Sequence, residues 1–154
     1  QGRDVMLTED KVIELLNSDF NFIKQKEKFS RFDALDEDEG VMLEVKCRKT
    51  HYDDTLLEQK KFEWNKEFAK ENDYVFLYAV SMPNKEGGDT LYMFDPVALE
   101  DEGYDFKWHT KRVPSHTDFG GWEWVDKEVG YLHIKDAHIT YPHPPKEDHN
   151  QSQE

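Results

Sequence analysis

Apolar positions change their spacing several times along the chain, and each change predicts a different element. Near the N-terminus, Val12, Ile13 and Leu16 recur at helical spacing, which predicts an amphipathic helix with Thr8 as its N-cap. Residues 20–35 then alternate loosely between apolar and polar side chains. We expect one or two strands there, because period-two alternation is typical of strands with one buried face.

The middle of the chain predicts a strand, a helix and a second strand. After an acidic turn, residues 41–48 read VMLEVKCR and predict a strand. Residues 53–73 predict a helix, in which Thr55 and Glu58 have the spacing of a capping box. Residues 74–82, YVFLYAVSM, form a nearly continuous apolar run, which is typical of a strand buried on both faces.

The C-terminal part of the chain predicts more strands and then a tail. Residues 90–96 are expected to return beside the buried strand, and residues 104–140 predict further strand segments. Residues 141–154 are polar and rich in proline, so we expect a disordered tail. The sequence therefore predicts one α/β domain over residues 1–140, with a central mixed β-sheet flanked by helices and a β-rich C-terminal extension.

Composition narrows the classes of function. The 154 residues carry a formal net charge of −14, which disfavours a general coat for DNA or for an anionic membrane. A single cysteine excludes an intrachain disulfide and a cysteine-based zinc site. No apolar run is long enough to cross a membrane. We therefore expect a soluble, cytoplasmic protein.

Charged residues interrupt the apolar pattern on both sides of the acidic turn. Strand alternation puts Glu44 and Lys46 on one face, and Asp33 faces the opposite way from its neighbours Phe32 and Ala34. Pairing of the two strands can then bring Asp33 beside Glu44 and Lys46. Two carboxylates can hold a hard divalent cation, and an ammonium group can orient a water molecule. The alternative is an ordinary solvated ion pair of little energetic value.

Ten residues separate Asp33 from the tripeptide Glu44-Val45-Lys46. This spacing resembles the signature of the PD-(D/E)XK nuclease superfamily, which has the restriction-endonuclease-like fold. The resemblance covers roughly residues 7–95. It implies that Asp33 and Glu44 bind Mg²⁺ or Mn²⁺, that the Val45 carbonyl is a further ligand, and that Lys46 assists the attacking water.

The resemblance also implies two supporting residues and contains one departure. Some members of the superfamily add a glutamate from the first helix. Glu9 is the better match, since the helix's apolar stripe follows it, and Glu14 is the alternative. Members often carry a glutamine on the helix after the lysine, which Gln59 matches. Phe32 stands where the signature has proline.

A basic segment late in the chain is the candidate substrate contact. If residues 107–111 alternate as a strand, Lys107, His109 and Lys111 share one face, with Arg112 adjacent. Phosphate binding is one interpretation, and a charged edge strand exposed to solvent is the other.

The resulting hypothesis is a small Mg²⁺-dependent nuclease that hydrolyses DNA phosphodiester bonds. Its small size suggests a role in phage or mobile-element repair, recombination or resolution, and the protein could act as a homodimer. A nuclease that acts on RNA is a further alternative. The rival hypothesis is a non-catalytic acidic protein, either a DNA mimic or a retired nuclease fold that binds a DNA-handling protein, and the net charge of −14 is its main support.

Overall fold

The computed structural model describes residues 7–26, 31–116 and 122–143. Within these ranges the α-helices are α1 (Glu9–Leu16), α2 (Gln59–Asn72) and α3 (Pro96–Asp101), and Ile134–Asp136 form a short 3-10 helix. The strands are β1 (Ile23–Lys24), β2 (Ala34–Asp36), β3 (Val41–Cys47), β4 (Asp54–Glu58), β5 (Val75–Pro83), β6 (Asp89–Phe94), β7 (His109–His116), β8 (Trp122–His133) and β9 (Ile139–His143).

Six strands form the central sheet in the order β1-β2-β3-β5-β6-β9. β3 and β5 are parallel, with Glu44 opposite Tyr78, and the other neighbouring strands of this sheet are antiparallel. The parallel pair requires a crossover, which β4 and α2 supply. The predicted mixed sheet flanked by helices is confirmed, and this order is consistent with a restriction-endonuclease-like core.

Helices cover both faces of this sheet. On one face α1 buries Val12, Ile13 and Leu16 in a cluster with alternate residues of β3. The predicted N-cap is also confirmed, since Thr8 Oγ1 accepts a hydrogen bond from the Lys11 N–H. On the other face α2 buries Phe62 within a second cluster. Each large apolar side chain removed from water in this way contributes about 1.5–3 kcal/mol.

A second sheet of three strands, in the order β4-β8-β7, packs beside α2. Its first strand corrects the helix predicted over residues 53–73. Thr55 and Leu57 are buried while Leu56 and Glu58 are half-buried, so these residues alternate as a strand and pair with β8. α2 therefore begins at Gln59, and Glu58 occupies its N-cap without a side-chain cap hydrogen bond.

The last described strand corrects the predicted start of the tail. β9 pairs antiparallel with β6, so that Tyr141 lies opposite Leu91 and Pro142 opposite Thr90. Residues 141–143 therefore belong to an edge strand of the central sheet, and residues 144–154 lie outside the described residues. In the described ranges, no helix is both long and apolar enough to cross a membrane.

Candidate active site

Glu44 and Lys46 reach the site because β3 alternates as predicted. Val45 belongs to the core cluster under α1, and Met42 belongs to the cluster under α2. Glu44 and Lys46 share the Met42 face of the strand. Glu44 is only 4% exposed, whereas Lys46 is half-buried. The same alternation that forms the core thus places a carboxylate and an ammonium group beside α2.

Asp33 lies at a bend immediately before β2, where three hydrogen bonds fix it. Its carboxylate Oδ2 accepts from the Val45 N–H at 2.7 Å. Its own N–H donates to the Leu43 carbonyl at 2.7 Å, and its carbonyl accepts from the Gln25 N–H at 2.8 Å. The Asp33 side chain is therefore fastened to the backbone of β3 next to Glu44.

The bend corrects one step in the prediction from the sequence. Phe32 packs in the cluster under α2, whereas Ala34 packs in the cluster under α1. These two residues therefore do not share a face, because β2 begins only at Ala34 and the chain turns before it. Asp33 approaches β3 through this turn rather than through strand alternation.

The Glu44 carboxylate is buried between two ammonium groups. Its Oε2 lies 3.0 Å from Lys61 Nζ and 3.7 Å from Lys46 Nζ. Burial raises the pKa of Glu44, and the charge of Asp33 raises it further, while Lys61 and Lys46 act in the opposite direction. The site therefore combines poorly solvated negative charge with cations held close to it.

Glu9 is also affected by the charge of Asp33. Its pKa is raised first by burial and then by the charge of Asp33, while Lys24, at 3.6 Å, lowers it. Asp33 thus acts electrostatically on both Glu9 and Glu44. Glu14, the alternative on the same helix, is exposed to solvent.

The donor set suits a hard divalent cation with few protein ligands. Within the described ranges, no three histidine, cysteine, aspartate or glutamate side chains are grouped closely enough to hold a metal ion. Mg²⁺ commonly binds through one or two carboxylates and completes its shell with water and substrate oxygens. Asp33 and Glu44 fit that pattern. The metal-binding roles of Asp33, Glu44 and the Val45 carbonyl remain predictions, as does the supporting role of Glu9.

Lys61 is a site residue that the sequence pattern did not single out. Gln59, the predicted supporting residue, is the first residue of α2, and it is Lys61, two residues later, that contacts Glu44. A signal was available, because Lys61 precedes the buried residues Asn65 and Ala69 by four and eight positions, which places it on the same helix face. The predicted helix started too early, because residues 54–58 belong to β4, and the buried positions of α2 are Phe62, Asn65 and Ala69.

A cleft of about 510 Å³ opens beside Glu44 between the two sheets. Its charged lining comprises four cationic and two anionic side chains, namely Lys46, Arg48, Lys61, Lys127, Glu44 and Glu58. Glu58 and Lys127 form an ion pair at 3.3 Å. A second cavity of about 360 Å³ adjoins the cleft and shares Arg48 and Leu56 with it.

Of the three residues predicted to share one strand face, His109 and Lys111 lie two positions apart in β7, but Lys107 lies outside the strand. Lys107 precedes β7 and has a left-handed backbone, with φ 59°. Lys111 lines the second cavity, and His109 stacks against Tyr131 with ring centroids 5.4 Å apart. Arg112 alternates to the opposite face and pairs with Asp126 at 3.3 Å. Of the four, Lys111 is the one that lines a described cavity.

Comparisons with known proteins give one structural similarity. No protein-family model matches the chain, and no curated protein matches it. Among solved structures, the chain is similar to Hjc from Archaeoglobus fulgidus, a Holliday junction resolvase from an archaeal hyperthermophile. The identity is 18% and the TM-score 0.44, over 82% of this chain and 96% of the resolvase. A similarity at this level does not transfer the resolvase's activity to this chain.

Proposed function

We propose that this protein is a Mg²⁺- or Mn²⁺-dependent nuclease of the PD-(D/E)XK type that hydrolyses DNA phosphodiester bonds. The observation that carries the proposal is the arrangement around Glu44. Asp33 is bonded to the Val45 N–H at 2.7 Å, its charge acts on Glu44, and Lys46 Nζ lies 3.7 Å from the Glu44 carboxylate. An ordinary solvated ion pair would not need a carboxylate that is 4% exposed.

Each residue has a distinct chemical role in this proposal. Asp33 and Glu44 supply the oxygen ligands, and the hydrogen bond from the Val45 N–H holds the Asp33 carboxylate against β3. A divalent cation bound there would supply Lewis acidity toward the phosphodiester and neutralise charge that develops during hydrolysis. Lys46, which is half-buried beside the ligands, orients the attacking water. Glu9 and Gln59 are proposed to support this arrangement.

The proposed substrate is DNA, with RNA as a second polyanion to test. The cationic side chains of the cleft provide local attraction in a chain whose net charge is −14. Lys111 extends this basic surface into the adjoining cavity. We propose that this activity serves phage or mobile-element repair, recombination or resolution, and that the protein acts in the cytoplasm. A homodimer is the assembly to test.

A retired nuclease fold that binds a DNA-handling protein is the second candidate. The contact that favours it is the 3.0 Å ion pair between Lys61 and Glu44. An ammonium group held permanently against a ligand carboxylate would take the place of the metal ion. Such a protein, or a DNA mimic, would present its −14 charge to a basic partner.

A cleavage assay with and without divalent cation tests the proposal. Supercoiled, linear, branched and single-stranded DNA, and a single-stranded RNA, are incubated with Mg²⁺, with Mn²⁺ or with chelator. We expect cation-dependent cleavage that Asp33→Ala and Glu44→Ala both remove. Glu67→Ala, at an exposed position of α2, is the matched control and should retain activity. Absence of cleavage under every condition would overturn the nuclease proposal.

A further inference from the structure

Asn65 lines the cleft beside Glu44 with an unused hydrogen-bond acceptor. It lies on α2 and is 1% exposed. Its Nδ2 donates a hydrogen bond to the Arg31 carbonyl at 3.3 Å. Because a carbonyl oxygen can only accept, this contact requires the NH₂ group of the amide on that side and the oxygen on the other. Its Oδ1 has no hydrogen-bond partner among the described residues. A buried acceptor without a donor is unfavourable, and a donor that reached it from the cleft would remove that cost.

The lining around Asn65 combines apolar with polar and charged residues. Leu57, Phe62, Phe76 and Val113 contribute apolar surface from both sheets and from α2. The hydroxyl of Tyr78 donates to the Leu56 carbonyl at 2.9 Å, so the cleft is bridged at that point. A volume of about 510 Å³ lies within the usual range of small-molecule sites, about 300–1,000 Å³.

The charges of the cleft favour an anionic ligand, such as one that carries phosphate. Lys46, Arg48, Lys61 and Lys127 outnumber Glu44 and Glu58 in the lining, although the whole chain is strongly acidic. A neutral apolar ligand would gain nothing from this excess of cations. A nucleotide combines a flat base with a phosphate and therefore matches both the walls and the charged residues.

We propose that the cleft receives the base of one unpaired nucleotide, with Asn65 Oδ1 accepting a hydrogen bond from the edge of that base. The inference rests on the proposed nuclease function and names its substrate class: DNA that presents an unpaired nucleotide next to the scissile phosphate. A base inside a duplex is stacked and paired, so it must leave the helix before it can enter a cleft. An already unpaired base does not incur that cost.

The test compares one labelled duplex with the same duplex carrying a single bulged nucleotide. Cleavage is measured with Mg²⁺, and affinity is measured by fluorescence anisotropy with Ca²⁺ in place of Mg²⁺. Ser115→Trp fills the cleft from β7, where Ser115 is a lining residue. Thr110→Trp is the control, because Thr110 is exposed on the other face of the same strand. Asn65→Leu removes the acceptor, with thermal denaturation to verify that this variant folds.

The wild-type protein should prefer the bulged duplex by about tenfold or more in cleavage and in affinity. Ser115→Trp and Asn65→Leu should bring that ratio close to one, and Thr110→Trp should leave it unchanged. The ratio does not depend on the fraction of folded protein, since both substrates meet the same sample.

The possible failures are distinguishable. Cleavage of both duplexes at equal rates, or a preference that survives Ser115→Trp, overturns the base-binding inference and leaves the nuclease proposal standing. In a third outcome, the protein binds the bulged duplex more tightly, Ser115→Trp removes this preference, and no cation gives cleavage. That outcome supports the base site and overturns the nuclease proposal. Neither binding nor cleavage overturns both.

Discussion

At the scale of the residue, the central feature is a carboxylate that is shared by two lysines. Lys61 lies closer to Glu44 than Lys46 does, at 3.0 Å against 3.7 Å. A metal ion that uses Glu44 must therefore compete with the Lys61 ammonium group. Lys46 is assigned instead to the attacking water, so the two lysines should respond differently to substitution.

Lys61→Met should increase Mn²⁺ affinity, because the cation no longer has to displace an ammonium group from Glu44. Without metal the variant should melt at a lower temperature than the wild type, since Glu44 loses its nearest counter-charge. Added Mn²⁺ should then raise the melting temperature more than it does in the wild type. Calorimetric titration and thermal denaturation measure both effects. Unchanged Mn²⁺ affinity would argue that Lys61 does not compete with the cation.

Lys46→Ala should reduce cleavage by about 10²–10⁴-fold while leaving Mn²⁺ affinity largely intact, because an ammonium group assists proton transfer and is not a metal ligand. The same titration run beside a nicking assay separates the two effects. Asp33→Ala is the comparison, since it removes a proposed ligand. A loss of Mn²⁺ affinity as large as that of Asp33→Ala would contradict the role given to Lys46.

At the scale of the element, the β2–β3 hairpin is held together by a buried aspartate at its turn. Asp36 accepts hydrogen bonds from the Asn21 N–H at 2.8 Å and from the Glu39 N–H at 3.0 Å. These backbone donors lower the pKa of Asp36 in spite of its burial. Because Asp33 immediately precedes β2 and Glu44 lies on β3, the turn contributes to their alignment.

Asp36 should make stability depend on pH in the acid range. Its pKa is lower in the folded state than in the unfolded state, where it is about 3.9, so its contribution is complete above that value. The contribution is lost as the pH falls through the lower, folded-state pKa. Asp36→Asn should cost about 1–3 kcal/mol at pH 7 and progressively less in acid. Urea unfolding across this pH range measures the difference, with Asp38→Asn as an exposed control in the same turn.

β9 provides a second prediction at this scale. A chain that ends at His138 loses β9 and exposes the edge of β6, whereas a chain that ends at His143 keeps every described strand. The shorter chain should melt several degrees lower, since the edge of β6 loses its backbone pairing. Differential scanning calorimetry of the two chains provides the comparison. Equal melting temperatures would mean that β9 contributes nothing to stability.

At the scale of the whole molecule, a net charge of −14 coexists with a locally cationic cleft. Long-range repulsion should slow the approach of a polyanion, and short-range attraction should act only once the DNA is near. A cation bound at Asp33 and Glu44 would remove two of the nearest negative charges from that encounter.

DNA affinity should therefore rise when a divalent cation is added and should fall steeply with monovalent salt. Affinity is measured with the Lys46→Ala variant, in which cleavage is expected to be slow, or with the wild type in Ca²⁺. The gain on adding cation should be smaller for Asp33→Ala, which lacks one ligand. Zero DNA affinity under every cation, together with capture of a basic DNA-handling protein, would favour the non-catalytic candidate instead.

Local patterns predicted much of the fold and part of the site. The first helix, the alternation of β3 and the buried strand β5 could be predicted because each depends on the spacing of neighbouring residues. Such spacing only suggested the approach of Asp33 to Glu44. That approach depends on the bend at residue 33 and on the bond to the Val45 N–H, neither of which a period-two pattern contains.

The order of residues was enough to show which positions carry charge in an otherwise apolar hairpin, and therefore which residues were candidates for the chemistry. Only the folded chain makes residues 54–58 a strand, because their partner β8 lies far along the chain and its pairing outweighs local helix propensity. That pairing also sets where α2 begins and hence where Lys61 and Asn65 point. The cleft between the two sheets follows from the same pairing, since its lining comes from segments that are distant in sequence and meet only after folding.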